Sequence, residues 1–120
     1  MNPKVRILVE FMRSNLHREL TLDELVTRVE LSQSRLHNLV KAELGMPPMH
    51  YHKLLRLEKA RDLLENTLWK VERIRFEIGY RDHSHFFRDF KKQFGRTPAQ
   101  FRAHHIDVKR RPERLGGNKE

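Results

Sequence analysis

The sequence predicts an all-α fold of about seven helices, forming two helix-turn-helix lobes joined by a long linker helix. Three observations predict it. Apolar residues recur at helical spacing, most clearly in the stripe Phe86, Phe90 and Phe94. Capping signals cut the chain into short helices. The third is an internal repeat: Leu36, Val40, Lys41, Leu44, Gly45, Pro48 and Tyr51 return as Phe86, Phe90, Lys91, Phe94, Gly95, Pro98 and Phe101. Ser34 returns as Ser84, and upstream Leu22, Leu25, Val29 and Leu31 return as Val71, Ile74, Ile78 and Tyr80 with the offset one residue shorter. That slip falls within the turn, where an insertion costs least. Two copies of one supersecondary unit account for the pattern.

Each element has its own signal. Asn2-Pro3 places an N-cap before a proline at the first helical position. Val5, Leu8, Phe11 and Met12, with Ile7 alongside, then keep helical spacing to about Leu16. Thr21 and Glu24 form a capping box, and Leu20 with Leu25 has the spacing of a hydrophobic staple. The short helix that follows turns Leu22, Leu25, Val26 and Val29 inward. Ser32 caps the next, about 33–44, which buries Leu36, Leu39, Val40 and Leu44. Gly45-Met46-Pro47-Pro48 breaks the chain before the linker helix, about 48–65, with Leu54, Leu57, Ala60, Leu63 and Leu64 as its apolar side. A short helix carries Val71, Ile74 and Ile78. Gly79 supplies a tight turn, Asp82 caps the helix about 83–94, and Gly95 ends it. Thr97 and Gln100 cap a last helix to about His105.

These spans give lobe one about 3–46, the linker helix about 48–65 and lobe two about 67–105. Residues 1–105 thus form one domain, and 106–120 form a basic flexible tail without apolar period.

Composition narrows the function. The chain of 120 residues has 25 Lys+Arg against 16 Asp+Glu, a formal charge of +9, which makes nucleic acid the expected partner. No cysteine is present, which removes disulfides and thiolate metal sites. No apolar run approaches a membrane span of ~18 residues, so no membrane association and a cytoplasmic, nucleoid-associated protein are expected. Eight histidines raise metal binding, but no pair has the i, i+4 spacing of zinc-binding helices. No metal or cofactor is expected. With no nucleophile elbow and no phosphate loop, no enzyme is expected either.

The polar faces of two helices carry the functional reading. On helix 83–94 they are His83, Ser84, Phe87, Arg88 and Lys91; on helix 33–44, Ser34, His37, Asn38 and Lys41. Arg88 suits guanine O6 and N7, Asn38 suits adenine, and Phe87 suits a thymine methyl or extra core cover. Gln33, Arg35, Lys41, Lys91, Lys92 and Arg96 are placed for phosphate contacts. A linker helix roughly 27 Å long compares with the ~34 Å between turns of one groove. Double-stranded DNA bound by a monomer across adjacent major grooves is the expectation. The alternative is a helical protein-interaction adaptor, for example one touching RNA polymerase, or an unspecific nucleic-acid binder.

Residues 4–104 resemble the DNA-binding domain of the AraC/XylS family of bacterial transcription regulators. The most specific stretch is Ile78-Gly79-Tyr80, then Phe86, Phe90-Lys91, Gly95-Arg96-Thr97-Pro98 and Phe101-Arg102; Leu57, Ala60 and Leu64 fit the linker-helix pattern. The resemblance implies seven helices, promoter binding, and base contacts by Ser34, His37, Asn38, His83, Ser84, Phe87 and Arg88. It also implies a stand-alone regulator or a fragment of a longer one, since most members carry a further domain. RNA polymerase is a candidate second partner. Three departures stand out: Glu30 where the first turn usually has Gly, Pro47 for a usual Ser cap, and Arg75 where a small Ala is common. Arg75 is expected to reach solvent or to push its helices apart.

Overall fold

The computed structural model describes residues 1–110. Among them seven α-helices follow in order: α1 (Pro3–Arg13), α2 (Leu22–Val29), α3 (Gln33–Leu44), α4 (Pro48–Asn66), α5 (Val71–Glu77), α6 (His83–Phe94) and α7 (Pro98–Arg110). The caps lie where the side chains foretell them. The Asn2 side chain accepts from the Lys4 backbone, and Thr21 with Glu24 closes a reciprocal box. Ser32 and Asp82 occupy equivalent positions in the two lobes and accept from the N–H groups of Arg35 and His85. Thr97 and Gln100 repeat the box at α7.

Two apolar cores form, one per lobe. Val5, Leu8, Met12, Leu25, Val29, Leu36 and Val40 close the first, and Leu55 of α4 joins them. Ile74, Ile78, Tyr80, Phe86 and Phe90 close the second with Leu57, Ala60, Leu63 and Leu64 of α4. Phe90 meets Phe86, Phe94 and Phe101 at ring centroid distances of 5.9, 4.7 and 5.8 Å in edge-to-face geometry, the arrangement aromatic quadrupoles favour.

Several boundaries differ from expectation. α1 stops at Arg13, because the side chains of Ser14 and Asn15 bond back to the carbonyls of Glu10 and Phe11 and compete with the helical ladder. Leu16 packs against lobe one from beyond the helix. On α4, Leu54 is only partly buried, whereas Leu55, His52 and Arg56 are buried. A one-sided apolar stripe does not describe a helix with a lobe packed on each of two faces. α7 continues past His105 to Arg110. The tail expectation from 111 to 120 lies outside the described residues.

Glu30 ends α2 at φ +55, ψ +46, and among the described residues it is the one non-glycine with positive φ. Its counterpart in the second lobe is Gly79, at φ +75. The left-handed region costs an L-residue about 1–2 kcal/mol, of which glycine's larger folding entropy returns a part. Glu30→Gly is therefore expected to stabilise the chain by about 1 kcal/mol, read as a higher urea midpoint with unchanged m-value. Pro47 starts α4 with no side-chain cap.

α4 also holds the lobes together by polar contacts. His52, 2% exposed, lies with Nε2 3.0 Å from the carbonyl oxygen of Asn15 in the α1–α2 loop. A carbonyl only accepts, so Nε2 carries the proton and donates. Burial pushes the ring below its ordinary 6.5, against the pull of that carbonyl, and the nearby Arg56 and Arg18 cations add to the lowering. The folded chain then binds fewer protons than the unfolded one below pH 6.5, so stability falls as pH drops through that value. Chemical denaturation between about pH 7.5 and pH 5 should show a smaller loss for His52→Gln, which keeps a donor without titrating.

Candidate nucleic-acid interface

The two faces begin from the same local geometry. A left-handed residue turns the chain, an N-cap follows, and a 12-residue helix ends at a left-handed glycine, Gly45 after α3 and Gly95 after α6. Leu36 and Val40 fasten α3 from beneath, as Phe86 and Phe90 fasten α6. What remains outward is set by the 3.6-residue period.

On α3, Gln33, Ser34, Arg35, His37, Asn38 and Lys41 are all exposed. On α6, His83, Ser84, Arg88, Lys91 and Lys92 are exposed, and Arg96 follows the helix, also exposed. Phe87 is half-buried. It packs against the second core and stacks on His83 at 3.9 Å between ring centroids, 34° apart in plane. Much of its surface is thus core cover, and its outer edge faces the same side as His83.

The acids near these faces are already engaged. Asp89 accepts from the Tyr80 hydroxyl at 2.8 Å and lies 3.4 Å from His85 Nε2 and 3.6 Å from Lys53 Nζ, with its side chain 12% exposed. Burial, then the bond to Asp89, pushes the Tyr80 hydroxyl well above its ordinary range and keeps it a donor. Glu72 binds the Arg75 guanidinium and lies 3.4 Å from His83 Nδ1; the Arg75 contact, then burial's opposition and His83, leave its carboxyl below the ordinary range. Asp82 is lowered by the His85 backbone N–H it caps. By contrast, none of Arg35, Lys41, Arg88, Lys91, Lys92 and Arg96 makes an ion pair among the described residues. The neighbouring acids Asp89 and Glu72 thus leave Arg88 unpaired. Two helix faces of uncommitted cations and hydrogen-bonding side chains can take phosphates at the margin and base edges at the centre.

Arg75 does not reach out into solvent. Its side chain, 15% exposed, folds back on its own lobe, donating to Glu72 and to the Tyr80 carbonyl. It braces the turn before α6. The pairing was open to sequence reasoning, since Glu72 and Arg75 stand i, i+3 on one helix. Trp69 packs against the second core, with Arg73 stacked 3.6 Å above its ring. Arg102 donates to the carbonyls of Leu64, Thr67 and Trp69, gathering the free C-terminal carbonyls of α4 and the loop beyond it. A lone Arg between apolar residues gives no sign of such a role. Among the described residues no group of three His, Asp or Glu is placed to hold a metal ion, and no helix is long and apolar enough to cross a membrane.

Comparison with known proteins agrees with this geometry. A family described as a helix-turn-helix domain matches residues 25–104. The transcriptional activator RhaS of Escherichia fergusonii is 32% identical over 95 residues, which cover 79% of this chain and 34% of that protein. The chain spans 27% to 38% of the length of the first curated relatives it matches. Among solved structures, a transcriptional regulator with an AraC-type DNA-binding domain from Chromobacterium violaceum superposes with TM-score 0.80 at 32% identity, covering 86% of this chain and 92% of that one. The DNA-binding domain of AdpA, solved with a target DNA, shares the fold at TM-score 0.82 and 24% identity, covering 91% and 96%.

Proposed function

We propose, since the chain belongs to the AraC/XylS family of helix-turn-helix DNA-binding domains, that α3 and α6 enter successive major grooves of one duplex, carried by a single polypeptide. The chain binds double-stranded DNA sequence-specifically as the reading module of a transcription regulator. One observation carries this: two equivalent helices present unpaired cations and polar side chains outward while the neighbouring acids Asp89 and Glu72 are tied up. The dimensions, 56 × 31 × 21 Å, suffice to reach groove turns ~34 Å apart. The AdpA domain, of the same fold, was solved on its target DNA, which supports the same use here.

The base-reading residues are Ser34, His37 and Asn38 in lobe one, and His83, Ser84, Phe87 and Arg88 in lobe two. Of these, His83 stacks on the Phe87 ring and lies 3.4 Å from Glu72. Gln33, Arg35, Lys41, Lys91, Lys92 and Arg96 take phosphates. Selecting bound duplexes from a random pool with the full chain tests the reading. A composite site is expected, with two elements about 10 base pairs apart and one chain per duplex. Retention of all duplexes alike, with a steep salt dependence, would mark an unspecific binder instead.

A further inference from the structure

α4 presents two buried polar side chains one turn apart, His52 and Arg56, the latter 4% exposed. Each takes a backbone carbonyl from a different lobe. His52 reaches Asn15 in the α1–α2 loop at 3.0 Å, and Arg56 Nε donates to Ile78 in the α5–α6 turn at 2.9 Å. The Arg56 guanidinium also lies over the Tyr80 ring, 4.5 Å from its centroid. The Ile78 carbonyl is four residues before Asp82, the cap of α6, so a shift of this turn moves the start of α6. The α1–α2 loop bears in turn on the same turn, where the His17 carbonyl lies against Gly79.

We propose that Arg56, with His52, is a registration element that fixes the separation and rotation of α3 and α6 and so sets which half-site spacing the protein accepts. This rests on the two-groove reading above. Stability alone does not explain the residue. Burial opposes its charge, and its Nη2 is buried with no hydrogen-bond partner. A buried guanidinium with an unpaired nitrogen is often no more stabilising than an apolar side chain of like volume. Its bond to a carbonyl and its stacking on a ring are directional, whereas apolar packing lets surfaces slide.

The test uses the full chain on duplexes carrying the selected half-sites at native spacing and at one or two base pairs more or fewer. One base pair shifts the second site by about 3.4 Å and about a tenth of a turn. Wild type is expected to lose about tenfold or more in affinity per base pair of misfit, as when base contacts are lost. Arg56→Met is expected to melt within a few degrees of wild type yet vary less than about threefold across the series. Should Arg56→Met fail to fold, as judged by circular dichroism, Arg56→Lys takes its place with the same expectation, since it lacks the planar fork. A variant whose affinities fall by one common factor, keeping the wild-type profile, overturns the registration role. Absence of sequence selectivity in wild type overturns the two-groove reading and this inference with it.

Discussion

Gly79→Ala lowers stability by about 3–5 kcal/mol, the largest loss expected from any one methyl group in this chain. Two effects coincide there. Alanine at φ +75 meets the left-handed penalty of about 1–2 kcal/mol. The new Cβ would also stand 2.4 Å from the His17 carbonyl oxygen and 2.7 Å from the Arg18 nitrogen. Those are backbone atoms of the other lobe and cannot rotate aside, so the α1–α2 loop must part from the α5–α6 turn. Gly45→Ala and Gly95→Ala isolate the first effect, because both glycines have positive φ with nothing within 4 Å of the added atom. Each should cost about 1–2 kcal/mol in urea denaturation. Equal losses at all three positions would show that the lobe contact yields without cost.

Arg88→Ala is expected to weaken binding by about 1–3 kcal/mol, roughly 5- to 150-fold, and to remove preference at one base position. Lys91→Ala should instead weaken every sequence alike and reduce the slope of log affinity against log salt by about 1. Arg88 is exposed, is unpaired, and sits near the centre of the outward face of α6, whereas Lys91 lies in its last turn. Profiling both variants over a randomised duplex decides the matter. Curves of the same shape for the two would remove Arg88 from base reading.

Much of this is legible in the sequence. The Phe86, Phe90, Phe94 stripe pointed to a buried helix face, because residues four apart stack on one side of a helix, whereas in a strand the charged Arg88 and Lys92 would share that face. The caps at Asn2, Thr21, Ser32, Asp82 and Thr97 were equally plain, since short polar side chains before an apolar period satisfy orphan N–H groups. With the core face known, the outward positions of both helices followed by elimination. Less plain was α4. The apolar side expected for this helix leaves out His52, Leu55 and Arg56, all buried, and takes in Leu54, which is only partly buried. Which face of a helix is buried depends on how many neighbours it has, and periodicity counts faces only when one is buried.

The amino-acid sequence by itself determined the seven helices, their capped starts, the duplication and the cationic faces of α3 and α6. These are local matters: caps, left-handed residues and apolar period act within a few residues of one another. Only the tertiary structure decided how the two copies are set against each other. That setting runs through contacts between residues far apart in the chain, Gly79 with His17, His52 with Asn15, Arg56 with Ile78. Each joins a side chain or a missing side chain to a backbone carbonyl. Every residue has such a carbonyl, so the sequence carries no mark of which one will be used.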